Sequence, residues 1–329
     1  MAPVTRRFLA GHHFFPARGN RALADLTYGV VKDGSVLVTK AAWKRYTWKS
    51  MESSMDVYNT WDEPDRDIAW AETNKVPLIL TIETKTFKQG ENPGPVYMER
   101  YSAPAPNGDV FMALWDPYCM GRVKALMTAI GYRYNNNPWF GGCAVQETAM
   151  GSPTDAQLGV GGPVPTDKDY VGYTTARYRD QMIAQIQHAA TAFPNTYFYW
   201  GSNFIRGNYN NSILIEILEA TKALKSFVLW GPDILEGNGP LEDRFYPIFR
   251  TYSTQIPVCI HAQQDSYNHP EDNPPFKTMT EARDYGIDNL HANNIVWTIL
   301  KGPQVAGGYT YNDAKPVMVA RPTFNVEPW

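Results

Sequence analysis

A chain of 329 residues with 43% hydrophobic and 19% charged content can bury a large core, and no shift in composition divides it, so one domain spanning 1–329 is expected. The formal net charge is -3, and its Lys and Arg are scattered rather than gathered into a stripe, which excludes a general nucleic-acid binder. The partner this balance favours is uncharged or of mixed charge.

The opening residues MAPVTRRFLAGHHFF carry two arginines but no apolar stretch of the length a secretory leader needs, and no later run is long enough without charges to span a bilayer. The expectation is a soluble protein without membrane insertion and without a signal peptide in the chain as given, either cytoplasmic or secreted after trimming. Cys119, Cys143 and Cys259 are too few and too far apart for a zinc or redox motif and read as buried thiols.

In chain order, Phe8 to Phe15 reads as a first strand, and Asn20 caps a helical stretch reaching about Val31. Asp33-Gly34 makes a turn before a second strand within Ser35 to Trp48, which opens on Val36, Val38 and Thr39 and ends in the aromatic and basic run Trp43 to Trp48. Trp61 to Asn74 is helical, and Val76 to Ile82 is the most strand-like run of all, ending at Glu83-Thr84-Lys85. Phe87 to Trp115 is rich in Gly and Pro, lacks periodicity and reads as a long functional loop. Pro117 then opens a helix to about Arg133, with Val123, Leu126, Met127 and Ile130 on one face.

The stretch from Pro138 to Gly151, PWFGGCAVQETAMG, organises the rest. Its small apolar run Gly141 to Val145 is a buried parallel strand by pattern, and Glu147 stands at its far end between Gln146 and Thr148. Beyond it come a second long loop (151–168), a helix from Asp169 to Ala192, a fifth strand Thr196 to Trp200, and a helix Ser212 to Leu224 capped by Ser212. The sixth strand is Ser226 to Trp230, stopped by Gly231-Pro232-Asp233, and a helix follows from about Leu241 to Ser253. Ile256 to Ala262 is the seventh strand, Thr280 to Leu290 a helix capped by Thr280, and Asn294 to Leu300 the eighth strand. The Gly- and Pro-rich tail offers no convincing final helix. Alternation of this kind predicts an α/β chain of the (β/α)8 (TIM) barrel class, with long loops after strands three and four and an irregular C-terminal tail.

In such a barrel, residues just past the carboxyl ends of the strands line the active site, which makes Glu147 a better catalytic candidate than most glutamates. The bland reading is an ion-paired Glu at the start of a loop.

Three stretches carry a resemblance to the large clan of (β/α)8 retaining glycoside hydrolases that includes cellulase-like and β-galactosidase-like families. Arg45 to Glu52, with Asp56-Val57-Tyr58 after it, resembles the R-x-x-W-x-x-L-E-P…G-x-Y-D segment after strand two. Tyr134 to Thr148 resembles the R-Y-x-x-x-P-x-V-x-G-W-x-x-x-N-E-P segment at strand four, and Trp297 falls on strand eight. The resemblance implies that Glu147 is the strand-four general acid/base, with Gln146 where those families usually have Asn, and that Arg45 holds the nucleophile carboxylate. One departure stands out. Strand seven in that clan ends in the nucleophilic glutamate, and here its mouth reads Ala262-Gln263-Gln264-Asp265.

Glycoside cleavage requires an acid to protonate the leaving oxygen and a second carboxylate, separated from it by about 5–5.5 Å in retaining enzymes and about 6.5–9.5 Å in inverting ones. Asp265, Asp233 and Glu83 are the candidates for that second group. Asp265 is shorter than the expected Glu, which favours a wider gap and inversion, whereas Asp233 or Glu83 closing the gap favours retention. Each also has a bland reading: Asp233 shapes a turn or caps a helix, and Glu83 pairs with Lys85.

Trp48, Trp115, Trp200, Trp230, Tyr267 and Trp297 fall near strand ends, where rings either stack on sugars or pack a core. Arg45, Lys85, Gln146, Asn203, Gln263 and Gln264 supply donors and acceptors for hydroxyls. His12, His13 and His261 read as hydrogen-bonding mouth histidines, since no metal-ligand spacing joins them; neither metal nor cofactor is implied. The first functional reading is a glycosidase acting on a polysaccharide or glycoconjugate. Its rivals are a non-catalytic carbohydrate-binding barrel that has lost its nucleophile and a barrel enzyme of other chemistry. The last would need a phosphate-binding glycine turn after strand seven or eight, for which Gly302 and Gly307-Gly308 are a weak signal.

Overall fold

The computed structural model describes residues 6–16, 30–58, 61–86, 90–104, 110–146, 148, 172–205, 211–234, 241–262, 278–299, 311–322 and 324. Eight parallel strands close into one barrel: β1 (Gly11–Pro16), β2 (Thr39–Thr47), β3 (Leu78–Glu83), β4 (Phe140–Val145), β5 (Tyr197–Gly201), β6 (Phe227–Asp233), β7 (Val258–Ala262) and β8 (Asn294–Ile299). Each strand pairs with its neighbour in sequence, and β1 completes the ring against β8. The helices α1 (Asp62–Asn74), α2 (Pro117–Tyr134), α3 (Thr175–Ala192), α4 (Ser212–Thr221), α5 (Tyr246–Tyr252), α6 (Met279–Asp284) and α7 (Tyr311–Ala320) follow β2 to β8 in turn. The (β/α)8 class expected from the alternation is therefore the observed one. The helix expected between Asn20 and Val31 falls almost wholly outside the described residues.

Both faces of the strands are buried, and the two-residue period sorts their side chains. Phe15, Ala41, Trp43, Ile79, Ala144, Tyr199, Val228, Trp230, Cys259 and Val296 fill the barrel interior, while the alternate residues pack outward beneath the helices. Large rings share the interior with small neighbours: Trp43 lies 5.0 Å from Tyr199 and 5.1 Å from Trp230, centroid to centroid, and Ala41 and Ala144 belong to the same cluster. Gly142 has a φ of +140°, and a Cβ there would meet the Tyr197 carbonyl oxygen at 2.3 Å, so only glycine allows β4 to lie this close to β5. All three cysteines are buried and free, as their apolar settings predict.

The closing strand is held by a histidine on each face. Trp43 Nε1 on β2 donates to His13 Nδ1 at 2.9 Å inside the barrel, and Trp297 Nε1 on β8 donates to His12 Nδ1 at 2.9 Å outside it. Because each Nδ1 accepts, each Nε2 carries the proton: His13 donates it to the Leu9 carbonyl at 2.6 Å and His12 to the Arg321 carbonyl at 2.9 Å. These two histidines sit toward the amino end of β1. That placement corrects their expected position at the mouth.

Several boundaries also differ from expectation. Strand six does not stop at Gly231 but continues through it to Asp233. Helix α4 is entered through Asn211 in a left-handed conformation, not through a Ser212 cap, and Thr278 replaces Thr280 as the cap of α6, forming a capping box with Glu281. The tail does form a helix, α7, despite Pro316. Ala314, Val317 and Met318 are buried, and Arg283 of α6 donates to the Val317 carbonyl at 2.8 Å, so docking compensates for the backbone bond that Pro removes.

Burial holds the His13 pKa down to about 4 and the His12 pKa down to about 3. In the unfolded chain both return to about 6.5, so the stability they confer is present above that pH and declines as pH falls toward the folded values. Urea unfolding at pH 7, 6 and 5 is expected to show a loss of up to about 1.4 kcal/mol per pH unit for each histidine across the lower interval. A His12→Gln/His13→Gln variant should lose that slope, and an unchanged slope would mean that the imidazoles are not held neutral.

Candidate active site

The carboxyl ends of the strands gather the polar residues. Beyond Glu83 the chain stays extended through Thr84-Lys85-Thr86 and receives an antiparallel partner: Thr86 N donates to Val110 O at 2.9 Å and Met112 N to Thr84 O at 2.9 Å. That partner, Val110–Met112, also pairs with Ser102–Pro104, so a small ribbon stands on the rim beside a 3-10 turn at Val96–Tyr101. The stretch 87–115 therefore holds more structure than its lack of periodicity announces. Three-residue strands are too short to set up a period.

Gln146 joins β4 to this rim. Its Oε1 accepts from the backbone N–H of both Thr84, at 2.8 Å, and Lys85, at 2.6 Å. Two donors require the oxygen there, so the amide nitrogen is fixed too, and Nε2 is buried with no partner among the described residues. On the other side, Thr148 Oγ1 donates to Asn203 O at 2.6 Å and accepts from Asn203 N at 2.8 Å, while Tyr178 OH donates to Thr148 O at 3.2 Å. The residues flanking Glu147 are thus anchored, one to the end of β3 and the other to the chain leaving β5.

Across the barrel, β6 changes register. Trp230 pairs with Cys259, but Asp233 pairs with His261, so three steps on β6 match two on β7. The extra residue is accommodated at Gly231, whose φ is +99° and where a Cβ would lie 2.5 Å from Ser202 O. This bulge puts the Asp233 backbone level with His261, an inward residue whose Nε2 contacts Thr298 Oγ1 and whose ring lies 6.2 Å from Phe15 and 6.4 Å from Trp230. Arg45, half-buried on β2 and in register with Thr81, sets its guanidinium carbon 4.8 Å from the Phe15 ring centroid.

Among the candidates from sequence, Arg45, Glu83, Gln146 and Trp230 lie on inward positions toward the mouth by strand period. Lys85 is buried at the rim, and Asn203 is half-buried and bound to Thr148 through its backbone. Four rings are not at the mouth. Trp48, Trp115, Trp200 and Trp297 are each no more than 2% exposed and belong to the outer core. Trp48 Nε1 donates to Glu52 Oε2 at 2.6 Å, and Trp115 meets Tyr173 edge-on at 5.2 Å. Trp200 and Trp297 fall on the outward phase of their strands, a phase that sequence leaves open when both faces are apolar. Glu147, Gln263, Gln264, Asp265 and Tyr267 lie outside the described residues, as does the side chain of Asp233.

Sequence reading missed Thr81, Thr148, Thr298 and Phe15, although counting back by two from Glu83 on the same strand finds Thr81. It also missed the support under the strand-two motif. There, fully buried Glu52 accepts from Trp48, from Asp56 N at 3.0 Å and from Arg122, and Arg122 in turn donates to Asp56 Oδ1 at 2.8 Å and to Tyr97 OH at 3.2 Å. The described residues hold no group of three or more His, Cys, Asp or Glu able to bind a metal, and no described helix is long and apolar enough to cross a membrane.

A closed parallel (β/α)8 barrel with a polar mouth at its carboxyl face is the architecture of many glycoside hydrolases of known structure. The chain superposes on the β-galactosidase of the psychrophilic Marinomonas ef1 with a TM-score of 0.57 at 10% identity, covering 94% of this chain and 58% of that one. It is similar to GH5_18 of Streptomyces cattleya in complex with Manβ1-4GlcNAc (TM-score 0.57, 10% identity, 96% of this chain and 81% of that one). The lactosyl-enzyme intermediate of endo-glycoceramidase II from Rhodococcus sp. is a third neighbour (TM-score 0.54, 11% identity, 94% and 78%). At these identities the likeness establishes the fold. No family model and no curated protein matches the sequence.

Gln146→Leu removes the acceptor shared by two buried N–H groups and is expected to cost about 2 kcal/mol or more in urea unfolding. Gln146→Glu, which keeps an acceptor oxygen there, should recover most of that loss. Equal instability in the two variants would show that the shared acceptor is not what anchors β4 to β3.

Proposed function

We propose that the protein is a glycosidase that cleaves a polysaccharide or glycoconjugate, with Glu147 as its general acid/base. The observation that carries this reading is the pair of anchors on either side of Glu147. Gln146 is bound to the end of β3 and Thr148 to the chain leaving β5, at the barrel end where catalytic residues of this fold reside. Support also comes from structural neighbours that are glycoside hydrolases, including one bound to Manβ1-4GlcNAc and one carrying a lactosyl intermediate.

In this reading Glu147 gives its proton to the leaving glycosidic oxygen and later takes one from water. The fixed Nε2 of Gln146 donates to an oxygen of the sugar, and Arg45 orients the second carboxylate. That carboxylate is Asp265, Asp233 or Glu83. Glu83 occupies the last inward position of β3, the strand next to β4, whereas the bulge at Gly231 brings Asp233 level with His261. Either arrangement narrows the gap and favours retention; Asp265 favours inversion.

Glu147→Gln is expected to melt like the parent and to lose about 10²–10⁴-fold in turnover of unactivated glycosides. Full turnover in that variant would remove Glu147 from the mechanism. Asp265→Asn, Asp233→Asn and Glu83→Gln, each assayed for rate and for the anomer first released, identify the second carboxylate: loss in Glu83→Gln or Asp233→Asn with a retained anomer supports the narrow gap. Glycan binding without hydrolysis by the parent would instead favour a carbohydrate-binding barrel.

A further inference from the structure

We infer that Trp230 is a specificity-determining hydrogen-bond donor to the sugar that enters the barrel deepest, acting through its indole N–H rather than its ring face. The inference rests on the glycosidase reading and adds to it a residue and a mode of recognition.

The tryptophans of the barrel wall provide the contrast. Trp43 and Trp297 each give their N–H to a histidine at 2.9 Å, and Trp48 gives its own to Glu52 at 2.6 Å. Trp230 lies in the same interior cluster as Trp43, is only 6% exposed, and its buried Nε1 has no acceptor among the described residues. His261 is its ring neighbour, yet the imidazole Nε2 is turned to Thr298. Trp70 and Trp200 also lack an acceptor, but both belong to the outer core beneath the helices. Trp230 faces the inside of the barrel, level with Cys259 and Gly201 and just below the bulge that ends β6.

A buried donor left without an acceptor costs about 1–3 kcal/mol, and on the inner wall below the mouth, unlike beneath the helices, a ligand is able to supply the acceptor. Among the described residues, Thr81 Oγ1 on β3 and Gln146 Nε2 just past β4, both on the inward side of the upper barrel, are in the same condition. Trp230 and Gln146 at these atoms only donate, whereas Thr81 donates or accepts. Donors arriving from β4 and β6 match a ligand group that presents oxygen lone pairs to both walls. A sugar's hydroxyl and ring oxygens do this, and an apolar ligand does not. A matching sugar oxygen that displaces water from these donors preserves the bonds, whereas a deoxy position loses them.

The test compares the parent with Trp230→Phe and with a protein carrying β-(3-benzothienyl)alanine at position 230, which keeps the shape of the indole and lacks the N–H. Both are made with and without Glu147→Gln, so that binding is read apart from catalysis. The probes are glucose, galactose, mannose, xylose, N-acetylglucosamine and their p-nitrophenyl β-glycosides. The ligand-free benzothienyl protein should melt at or above the parent, because the deleted N–H has no acceptor among the described residues. Its affinity for the preferred sugar should fall about tenfold, with the change in turnover lying mainly in KM. Affinity within twofold of the parent overturns the inference while leaving Glu147-dependent hydrolysis, and with it the glycosidase reading, intact. A Trp230 indole proton as protected from solvent exchange as those of Trp43 and Trp297 in the ligand-free protein also overturns it, whichever sugars bind. Failure of every probe to bind the parent counts against both.

Discussion

Barrel closure depends on β1, and β1 depends on two neutral imidazoles. A parallel barrel has no free edge only if its first strand meets its last, and here His12 and His13 take indole protons from β8 on one face and β2 on the other. Each bond fixes the opposite ring nitrogen as a donor, and the carbonyls of Leu9 and Arg321 receive those protons. The same strand is therefore stitched to both neighbours, to the chain before it and to the chain after α7. Charging either ring would leave a buried cation facing an indole N–H, so the closure requires imidazole, not imidazolium.

What the closed ring makes available is a rigid frame for the mouth. Anchors beside Glu147 come from two different strands, and each works through backbone groups that no substitution at Thr84, Lys85 or Asn203 other than proline would delete. The opposite wall is shaped by a bulge at Gly231, so one side of the mouth is tied down while the other is re-registered. Between them lie interior polar atoms with no partner among the described residues, Trp230 Nε1, Thr81 Oγ1 and Gln146 Nε2, while lower in the barrel the two histidines and the Trp43 indole are paired.

The order of strands and helices was legible in the residues because apolar runs of five or six, bounded by Gly, Pro and Asn, alternate with amphipathic stretches such as Val123 to Ile130. Asp116 and Pro117 start α2 by local chemistry alone, with Asp116 Oδ1 accepting from Tyr118 N at 2.8 Å and Cys119 N at 3.0 Å. The strand-four segment could likewise be recognised, together with the candidate standing at its end. Local signals failed where packing outweighed them: in α7, which forms around Pro316, and at the end of β6, where Gly231-Pro232 looked like a stop and proved to be a bulge.

Sequence by itself thus determined the class of fold, the position of each strand to within a few residues, and the set of polar residues near strand ends. Only the tertiary structure decided which face each side chain takes. In strands buried on both sides the hydrophobic pattern carries no phase, so Trp230 and Trp200 look equivalent until the ring closes and turns one inward and the other beneath the helices. The same holds for hydrogen-bond partners. Whether an indole meets a histidine, a glutamate or nothing depends on residues far away in the chain, and barrel closure alone brings them within reach.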